Sequence, residues 1–443
     1  MSKYFWIFLF VFAFAHNPGN IISSEFMDFM EIAEVQNELE YWLGEFAPTA
    51  EYDVSIYKII YETTDPFGDS TIASGVIAFP HAASLAFPVA SFQHGTVVER
   101  DEVASVYGFD IPTLWASATG YVTVEADYLG LGESQIFHPY HIEIPTANAV
   151  VDLLRAGQTF CNESDEIQHN NQLFLIGYSE GGYATMATHK AIEEQNEFEI
   201  TASFPMAGAY DLSGVMTDLM LSDEPYAAPY YFPYVVLSAI EYYELGELSD
   251  FFTDYYAELL PTLFDGEHAG WEINPYLPSV PKNMLRPEVL EEFENDPNHP
   301  IRQVSQDNDL WDWSPQAPMY IYHAMADEIV PVENSIVTYN HFIENGAENV
   351  VLELLPEYYG GHSEAGLYCI YGGFVTIKSL SHLRGKGDPT DDGEINVLDI
   401  ILTVSIILEQ HFPDNFEFWA ADCNANNAIN VADIIAIISI ILE

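Results

Sequence analysis

The sequence predicts an α/β fold, with a mostly parallel sheet covered by helices on both faces. Short apolar runs typical of buried strands alternate with helical stretches along most of its 443 residues. Two early segments, 52–61 and 70–79, alternate apolar and polar residues on either side of a turn-rich TTDPFGDS. That pattern predicts an antiparallel hairpin at the start of the sheet. The length predicts two or three domains.

Six further apolar runs supply the predicted parallel strands, at 88–92, 121–124, 173–176, 202–206, 319–323 and 350–355. Helices are predicted between them, for example at 147–160 and 183–192. The stretch from about 213 to 314 breaks this alternation because it is long and rich in aromatic residues and proline. It is predicted to be an inserted cap. Six of its aromatic residues are expected to line a pocket, with the core of the cap as the alternative: Tyr230, Tyr231, Phe232, Tyr234, Tyr242 and Tyr243.

Acidic residues dominate the charge of the chain. Asp and Glu number 69 against 11 Lys and Arg, and the formal net charge is −58. Such a field repels phosphate backbones and anionic membrane surfaces, which excludes nucleic acid as a partner. The same self-repulsion destabilises the fold unless salt screens it. We therefore expect a saline habitat, with calcium as a second source of relief.

The first 15 residues are predicted to be a secretory signal peptide. One lysine precedes an apolar run over 4–15, and cleavage is expected after Ala15. About 20 apolar residues are needed to span a membrane, so this run is too short, and no other segment predicts a transmembrane anchor. The protein is therefore expected to be secreted. Its cysteines, Cys161, Cys369 and Cys423, are odd in number and do not cluster, so we expect free thiols, with a Cys161–Cys369 bridge as the alternative.

The strongest chemical signal is GYSEGG at 177–182, between a predicted strand and a predicted helix. This context is typical of a nucleophile elbow, a sharp turn that lifts a serine oxygen clear of the sheet. Gly177 and Gly181 stand two residues either side of Ser179, where larger side chains would collide. The motif predicts Ser179 as a nucleophile. The alternative interpretation is a glycine-rich helix start with a serine N-cap.

A serine hydroxyl becomes reactive when a histidine accepts its proton and a carboxylate orients that histidine. Asp327 follows the predicted strand 319–323, and His362 lies in a glycine-flanked loop after the strand 350–355. Both are therefore expected at the same edge of the sheet as Ser179, in the chain order of serine, acid and histidine. Asp211, after the strand 202–206, is the alternative acid.

The negative charge of a tetrahedral intermediate requires two backbone donors. The residue after the nucleophile, Glu180, supplies one, and the loop at 91–96 supplies the other. We favour the amide of Thr96 there, with the amide of Gly95 second. This chemistry requires no metal or cofactor, so none is expected for catalysis.

These motifs resemble the secretory lipase branch of the α/β-hydrolases, which includes lipases of the Candida lipase A type and bacterial relatives. The resemblance covers roughly 52–383 and rests on FQHGT (92–96), ADYLGLGES (126–134), GYSEGG, AGAYDLSG (207–214), ADEIVP (326–331) and GGH (360–362). It implies that Ser179, Asp327 and His362 form a catalytic triad and that 213–314 is a helical lid. Glu180 stands where relatives often have glutamine, which is neutral if only its amide acts.

The carboxyl end contains an internal repeat, because INVLDIILTVSIILE at 395–409 recurs as INVADIIAIISIILE at 429–443. Each copy fits a calcium loop, with oxygen ligands at alternating positions and a carboxylate on the following helix. The first loop has Asp388, Thr390, Asp392, Glu394, Asn396 and Asp399. The second loop has Asp422, Asn424, Asn426, Ala428, Asn430 and Asp433.

The two loops and their isoleucine-rich helices resemble a type I dockerin domain. The resemblance implies an EF-hand-like module over 387–443, two Ca2+ sites and a cohesin-like protein partner. Asn427 replaces the glycine that the first loop has at its sharp turn, so weaker calcium binding is expected in the second loop. The alternative is a pair of amphipathic helices with solvated acidic loops. The short link at 384–387 is expected to become protease-sensitive when calcium is removed.

The sequence as a whole predicts a secreted serine ester hydrolase over 16–386, a lipase or carboxylesterase that forms an acyl-enzyme on Ser179. A carbohydrate esterase acting in polysaccharide degradation is the first alternative, supported by the dockerin resemblance alone. A serine peptidase ranks below it. In a different class, a non-catalytic adhesion or scaffold protein is the remote alternative.

Overall fold

The structure, a computed structural model, describes residues 16–82, 84–164 and 166–442, so the predicted signal peptide lies outside the described residues. A single sheet runs in the order β1-β2-β3-β5-β4-β6-β7-β8-β9, with β10 paired to β4. The strands are β1 (Ile21–Met30), β2 (Val54–Thr64), β3 (Ser70–Pro80), β4 (Leu85–Gln93), β5 (Val122–Ala126), β6 (His169–Tyr178), β7 (Ala202–Met206), β8 (Met319–Ala324), β9 (Val350–Leu355) and β10 (Arg384–Gly385).

Helices connect the strands and cover the sheet. They are α1 (Ile32–Leu43), α2 (Ala104–Tyr107), α3 (Ile111–Ala118), α4 (Glu143–Glu163), α5 (Glu180–Gln195), α6 (Thr217–Met220), α7 (Tyr231–Tyr242), α8 (Leu248–Phe251), α9 (Asp254–Leu263), α10 (Gly270–Ile273), α11 (Pro287–Asn295), α12 (Pro300–Asp307), α13 (Glu333–Glu344), α14 (His362–Leu380), α15 (Val397–Ile407), α16 (Asn415–Ala421) and α17 (Val431–Leu442). Among the described residues, no helix combines the length and apolar character that crossing a bilayer requires.

The sheet begins antiparallel and becomes parallel. β1, β2, β3 and β5 pair antiparallel in that order, and β2 and β3 form the predicted hairpin, from Val54 opposite Pro80 to Thr64 opposite Ser70. From β5 through β4, β6, β7 and β8 to β9, every pairing is parallel. The carboxyl ends of the parallel strands share one edge, so the loops that follow β4, β6, β8 and β9 meet there.

The two faces of the sheet are buried by different helices. On one face, Val35 of α1, Trp115 of α3 and Phe374 of α14 belong to one apolar cluster. On the other face, Leu153 of α4 and Ile192 of α5 belong to a second cluster. This layering confirms the predicted α/β class.

The predicted interruption at 213–314 is a helical insertion that contains α6 to α12. Its aromatic residues are largely internal, since Tyr230, Phe232 and Tyr234 are buried in one apolar cluster with Tyr183 of α5 and Ile321 of β8. The insertion therefore packs on the sheet-and-helix core beside the carboxyl edge of the strands.

The chain after α14 also packs against the core. Arg384 and Gly385 of β10 pair with the first residues of β4, and Phe416 and Ala420 of α16 pack on Ala86. Lys386 Nζ donates hydrogen bonds to the carbonyl oxygens of Trp419 (2.7 Å) and Asp422 (3.0 Å). These contacts hold the link at 384–387 against β4 and α16.

The three cysteines are free, as expected. Cys161 and Cys369 are buried, and burial raises the pKa of each thiol to about 12. Both side chains are therefore protonated and unreactive near neutral pH.

Candidate active site

Ser179 occupies the tight turn between β6 and α5. Its φ of +63° is unusual for a residue with a side chain and marks the turn as strained. A side chain on Gly177 would collide with the carbonyl oxygen of Gly181, and one on Gly181 would collide with the carbonyl oxygen of Gln93. The local geometry of the predicted elbow is therefore present, and it explains both glycines.

The structure brings Ser179, His362 and Asp327 together at the carboxyl edge of the sheet. His362 Nε2 lies 2.9 Å from Ser179 Oγ, and His362 Nδ1 lies 2.6 Å from Asp327 Oδ2. The Tyr178 hydroxyl donates to the carbonyl oxygen of His362 at 2.6 Å, which fixes the start of α14 against the elbow. A serine oxygen is thus linked through an imidazole to a carboxylate.

The Asp327 carboxylate is held by four hydrogen-bond donors. Oδ1 accepts from the amides of Ile329 (3.0 Å) and Val330 (2.8 Å), and Oδ2 lies 2.6 Å from His362 and 3.3 Å from His323 Nε2. Burial raises the pKa of Asp327, but the hydrogen bonds from His323 and His362 outweigh that effect and lower the pKa to about 2. Asp327 is therefore ionised at neutral pH and fixes a proton on His362 Nδ1.

The second histidine at this carboxylate, His323, was assigned only to a strand by its sequence. It is fully buried in β8, with Nε2 2.8 Å from the carbonyl oxygen of Val330 and Nδ1 2.7 Å from Ser335 Oγ. A carbonyl and a carboxylate both need a donor, so Nε2 carries the proton and Nδ1 accepts from the serine hydroxyl. No local sequence pattern distinguishes this histidine from an ordinary strand residue.

The alternative acid, Asp211, has a different role. Its carboxylate accepts hydrogen bonds from the amides of Gly214 (3.0 Å) and Val215 (3.1 Å), which caps the π-helical turn Leu212–Met216. Among the described residues it makes no hydrogen bond to a histidine. The structure therefore pairs His362 with Asp327 rather than with Asp211.

The loop that contains the predicted oxyanion donors lies against the elbow. A Cβ added to Gly95 would lie 3.6 Å from the carbonyl oxygen of Tyr178 and 3.9 Å from Ser179 Cβ. His94 braces the loop, with Nδ1 2.7 Å from the Gly95 carbonyl oxygen and Nε2 3.2 Å from that of Asp127. Thr96 Oγ1 lies 2.9 Å from the Tyr140 hydroxyl. This loop and the first amide of α5, at Glu180, therefore flank the nucleophile.

The Glu180 side chain is also buried beside the nucleophile and has a partner of its own. Glu180 is 3% exposed, and its Oε1 lies 2.7 Å from His138 Nε2, whose other nitrogen lies 2.6 Å from the carbonyl oxygen of Leu129. Burial raises the pKa of Glu180, but His138 outweighs burial and leaves the pKa below its ordinary 4.5. Glutamine would therefore not be neutral at this position.

An apolar pocket of about 60 Å³ adjoins Ser179. The region between β7 and α7 and the helices α7, α11 and α12 supply most of its lining, with Leu212, Met216, Met220, Phe232, Val235, Val236, Phe293 and Ile301. Of the six aromatic residues expected to line it, Tyr231 and Phe232 do so, whereas Tyr242 and Tyr243 pack beside a separate small cluster. Tyr140, His141, Glu180, Thr217 and Ser305 are among the polar residues of the lining.

The two calcium-loop candidates share one backbone shape. Asp391 (φ +57°) and Gly393 (φ +84°) in the first loop correspond to Ala425 (φ +54°) and Asn427 (φ +59°) in the second. Asn427 thus adopts the left-handed conformation that the missing glycine would favour. The sequence repeat is therefore also a structural repeat.

In each loop the first and last carboxylates turn inward. Thr390 Oγ1 lies 3.3 Å from Asp388 Oδ1 and 2.7 Å from Asp399 Oδ1. Burial, together with the charge of Asp399, raises the pKa of Asp388. In the second loop, Asn424 Nδ2 lies 2.7 Å from Asp433 Oδ1. The first loop thus brings the carboxylates of Asp388 and Asp399 to the same threonine hydroxyl.

Two other candidate ligands of the first loop are hydrogen-bonded to backbone amides. Asp392 is bonded to the Glu394 amide (2.9 Å), and Asn396 caps α15 through the Leu398 amide (2.8 Å). Within the described ranges, no three side chains of the His, Cys, Asp and Glu types converge on a common metal position. Any cation in these loops would therefore also need hydroxyl, amide and backbone oxygens, which is the donor set that calcium takes.

Comparisons with known proteins point to lipases and esterases. Residues 294–366, which include Asp327 and His362, match the secretory lipase family. No curated protein matches the chain in sequence. The findings support a hydrolase of the lipase or esterase type.

Several solved structures share the fold. A variant of the rice cell wall degrading esterase LipA from Xanthomonas oryzae is 25% identical, with a TM-score of 0.75 over 82% of this chain and 100% of that chain. A hydrolase from Legionella pneumophila is 26% identical, with a TM-score of 0.75 over 81% of this chain and 98% of its own. Candida antarctica lipase A, at 16% identity and a TM-score of 0.60 over 82% of each chain, shares the fold alone.

Proposed function

We propose that this chain is a secreted serine ester hydrolase that forms an acyl-enzyme on Ser179. The observation that carries the proposal is the continuous hydrogen-bond path from Ser179 Oγ through His362 to Asp327. The elbow geometry of Ser179 supports it, as does the match of 294–366 to secretory lipases. Export is proposed from the signal peptide at 1–15 and is consistent with that family match.

In the proposed mechanism, His362 Nε2 removes the proton of Ser179 as its oxygen attacks the ester carbonyl. Asp327 stabilises the imidazolium that results. The carbonyl oxygen becomes an oxyanion, which accepts hydrogen bonds from the amide of Glu180 and that of Thr96 or Gly95. The intermediate then collapses, the C–O bond breaks and the alcohol leaves with the proton from His362. Water repeats the sequence on the acyl-enzyme and releases the carboxylic acid.

The apolar pocket beside Ser179 is proposed to hold the acyl group. Its lining comes mainly from the insertion, so we propose that the insertion is the lid that sets acyl preference. A carbohydrate esterase is the second candidate, because a structural neighbour is named as a rice cell wall degrading esterase. The peptidase and scaffold alternatives have no such observation in their favour.

The test is turnover of short p-nitrophenyl esters by the full chain and by Ser179→Ala and His362→Ala. Each variant should lose nearly all turnover, because the members of a triad act as a unit. Ser222→Ala and His268→Ala are matched controls outside the site and should retain activity. A serine-reactive fluorophosphonate should phosphonylate Ser179 with loss of fluoride, so the peptide that contains Ser179 should gain the mass of the phosphonyl group. Turnover that survives Ser179→Ala would refute the proposal.

The segment 387–443 is proposed to be a dockerin-like module that binds calcium and, through it, a cohesin-like partner. Asp388, Thr390, Asp392, Glu394, Asn396 and Asp399 would hold one ion, and Asp422, Asn424, Asn426, Ala428, Asn430 and Asp433 the other. Calcium would supply charge neutralisation of the crowded carboxylates. The shared backbone shape of the loops supports the proposal.

A further inference from the structure

Two buried polar atoms in the pocket beside Ser179 have no partner within the described residues. One is Glu180 Oε2 and the other is His141 Nδ1. Glu180 is 3% exposed and His141 7% exposed, so bulk water does not solvate either side chain freely. A buried polar atom without a hydrogen bond costs about 1–3 kcal/mol, which is why such atoms usually have a ligand or an ordered water.

The other polar side chains of this pocket are satisfied by the protein itself. Thr217, Tyr226 and Ser305 donate to backbone carbonyl oxygens at 2.8, 2.9 and 2.9 Å. The Tyr140 hydroxyl pairs with Thr96. Most of the remaining lining is apolar. The unmatched hydrogen-bonding capacity is therefore concentrated at Glu180 and His141, next to the nucleophile.

The charges of this pair limit what can bind there. Glu180 is an anion paired through Oε1 with His138, so Oε2 is an acceptor that repels a second carboxylate or a phosphate. Burial lowers the pKa of His141 to about 4, so its ring is neutral at pH 7 and Nδ1 can donate or accept according to its tautomer. An acceptor and a neutral imidazole that line the same pocket match a hydroxyl group, which donates one hydrogen bond and accepts another.

We propose that Glu180 Oε2 and His141 Nδ1 form a subsite for a hydroxyl group that the substrate carries close to its ester bond. The inference rests on the proposed ester hydrolysis and deepens it by naming a substrate class, hydroxylated esters. The hydroxyl can belong to the acyl group, as in a hydroxyalkanoate, or to the alcohol, as in a partial glyceride or a sugar ester. Both sources present the same chemistry to the pair.

The test compares matched esters that differ by one or two hydroxyl groups. In the acyl arm, p-nitrophenyl 3-hydroxybutyrate is compared with p-nitrophenyl butyrate. In the alcohol arm, glyceryl monobutyrate is compared with propyl butyrate. The readout is the ratio of kcat/KM within each pair, which cancels general effects on catalysis. In the unaltered protein, one arm should favour the hydroxylated ester by about 10- to 100-fold, the usual effect of a hydrogen bond to a charged group.

His141→Phe removes both ring nitrogens and keeps a side chain of similar size. Glu180→Gln keeps the backbone amide and replaces one carboxylate oxygen by an NH2 group. Each should bring the ratio close to 1. Ser222→Ala, a change outside the pocket, is the control and should leave the ratio as it was. Phosphonate labelling of Ser179 counts folded, competent sites in every sample. If one of the two variants does not fold and is not labelled at Ser179, the substrate ratio of the other variant still tests the proposal.

A ratio near 1 in both arms for the unaltered protein would overturn the inference and assign the two atoms to ordered water. A preference that survives both substitutions would also overturn it. Failure of the protein to hydrolyse any of the four esters, with no labelling of Ser179, would instead overturn the proposed function and the inference with it.

Discussion

Replacement of Asp327 by asparagine perturbs the proposed site with the least change in shape. The carboxylate accepts four hydrogen bonds, two on each oxygen. An amide has one acceptor oxygen and one donor nitrogen, so it cannot accept on both sides. If the oxygen keeps the amides of Ile329 and Val330, the NH2 group faces His362 Nδ1. The imidazole must then carry its proton on Nε2, where it cannot accept the proton of Ser179. The expected loss in kcat/KM is about 10⁴-fold.

The same substitution has a separate cost in stability. The pKa of Asp327 falls from an ordinary 3.8 to about 2 in the folded protein, and this difference corresponds to about 2 kcal/mol. Because the folded pKa is the lower one, this stabilisation is complete above the unfolded value near 4 and is lost as the pH falls through about 2. Asp327→Asn should therefore be less stable at pH 7, and the gap should close as pH falls from 4 to 2.

The measurements are steady-state ester hydrolysis at pH 7 and urea unfolding over a pH series. Asp211→Asn is the matched control, because Asp211 caps a turn and accepts from amides rather than from His362. It should lose stability while keeping turnover within about tenfold. The reasoning is refuted if Asp211→Asn cripples turnover and Asp327→Asn does not. A stability gap between Asp327→Asn and the original protein that does not depend on pH would refute the linkage argument alone.

Three further predictions concern other parts of the molecule. His323→Phe removes the second histidine donor at Asp327, so kcat/KM should fall about tenfold in ester assays, and an unchanged value would show that His362 alone suffices. Met216→Trp should fill the pocket and shift the preference in a chain-length series toward shorter acyl groups, and an unchanged profile would place the acyl group elsewhere. Calcium should raise the calorimetric unfolding temperature in dilute buffer, and the rise should be smaller in Asp399→Ala than in the control Glu409→Ala, an exposed acidic residue outside the proposed ligand sets. Equal rises in the two variants would argue against a site in the first loop.

The strands were readable from sequence where both faces of the sheet are covered. A strand buried on both sides is a continuous apolar run, and the predicted 202–206 coincides with the fully buried β7. β1 was missed because it lies at the edge of the sheet and its residues are mostly exposed. With acidic residues such as Glu25 and Asp28 in it, the segment lacks the regular alternation that marks a half-buried strand.

The candidate site was predictable to the extent that its parts are local. The elbow is a six-residue motif, and Asp327 and His362 each follow a recognisable strand, so their meeting follows from parallel topology. The ion pair of Glu180 with His138 joins residues far apart in the chain and leaves no periodic pattern. No sequence pattern marks His141 either, because the role of a histidine in a loop depends on the groups that surround it in the fold.

Because acidic residues greatly outnumber basic ones, each Lys or Arg can pair with several carboxylates. Arg384 is the clearest case. Its guanidinium lies 2.5 Å from Asp391 and 3.6 Å from Asp388 in the first loop, while its backbone pairs with β4 in the central sheet. One residue thus connects the crowded carboxylates of the terminal segment to the strand that leads to the oxyanion loop. An independent tail joined by a free link would have no such connection. The effect of calcium on the terminal loops should therefore extend to the stability of the sheet, even though the serine chemistry itself calls for no metal.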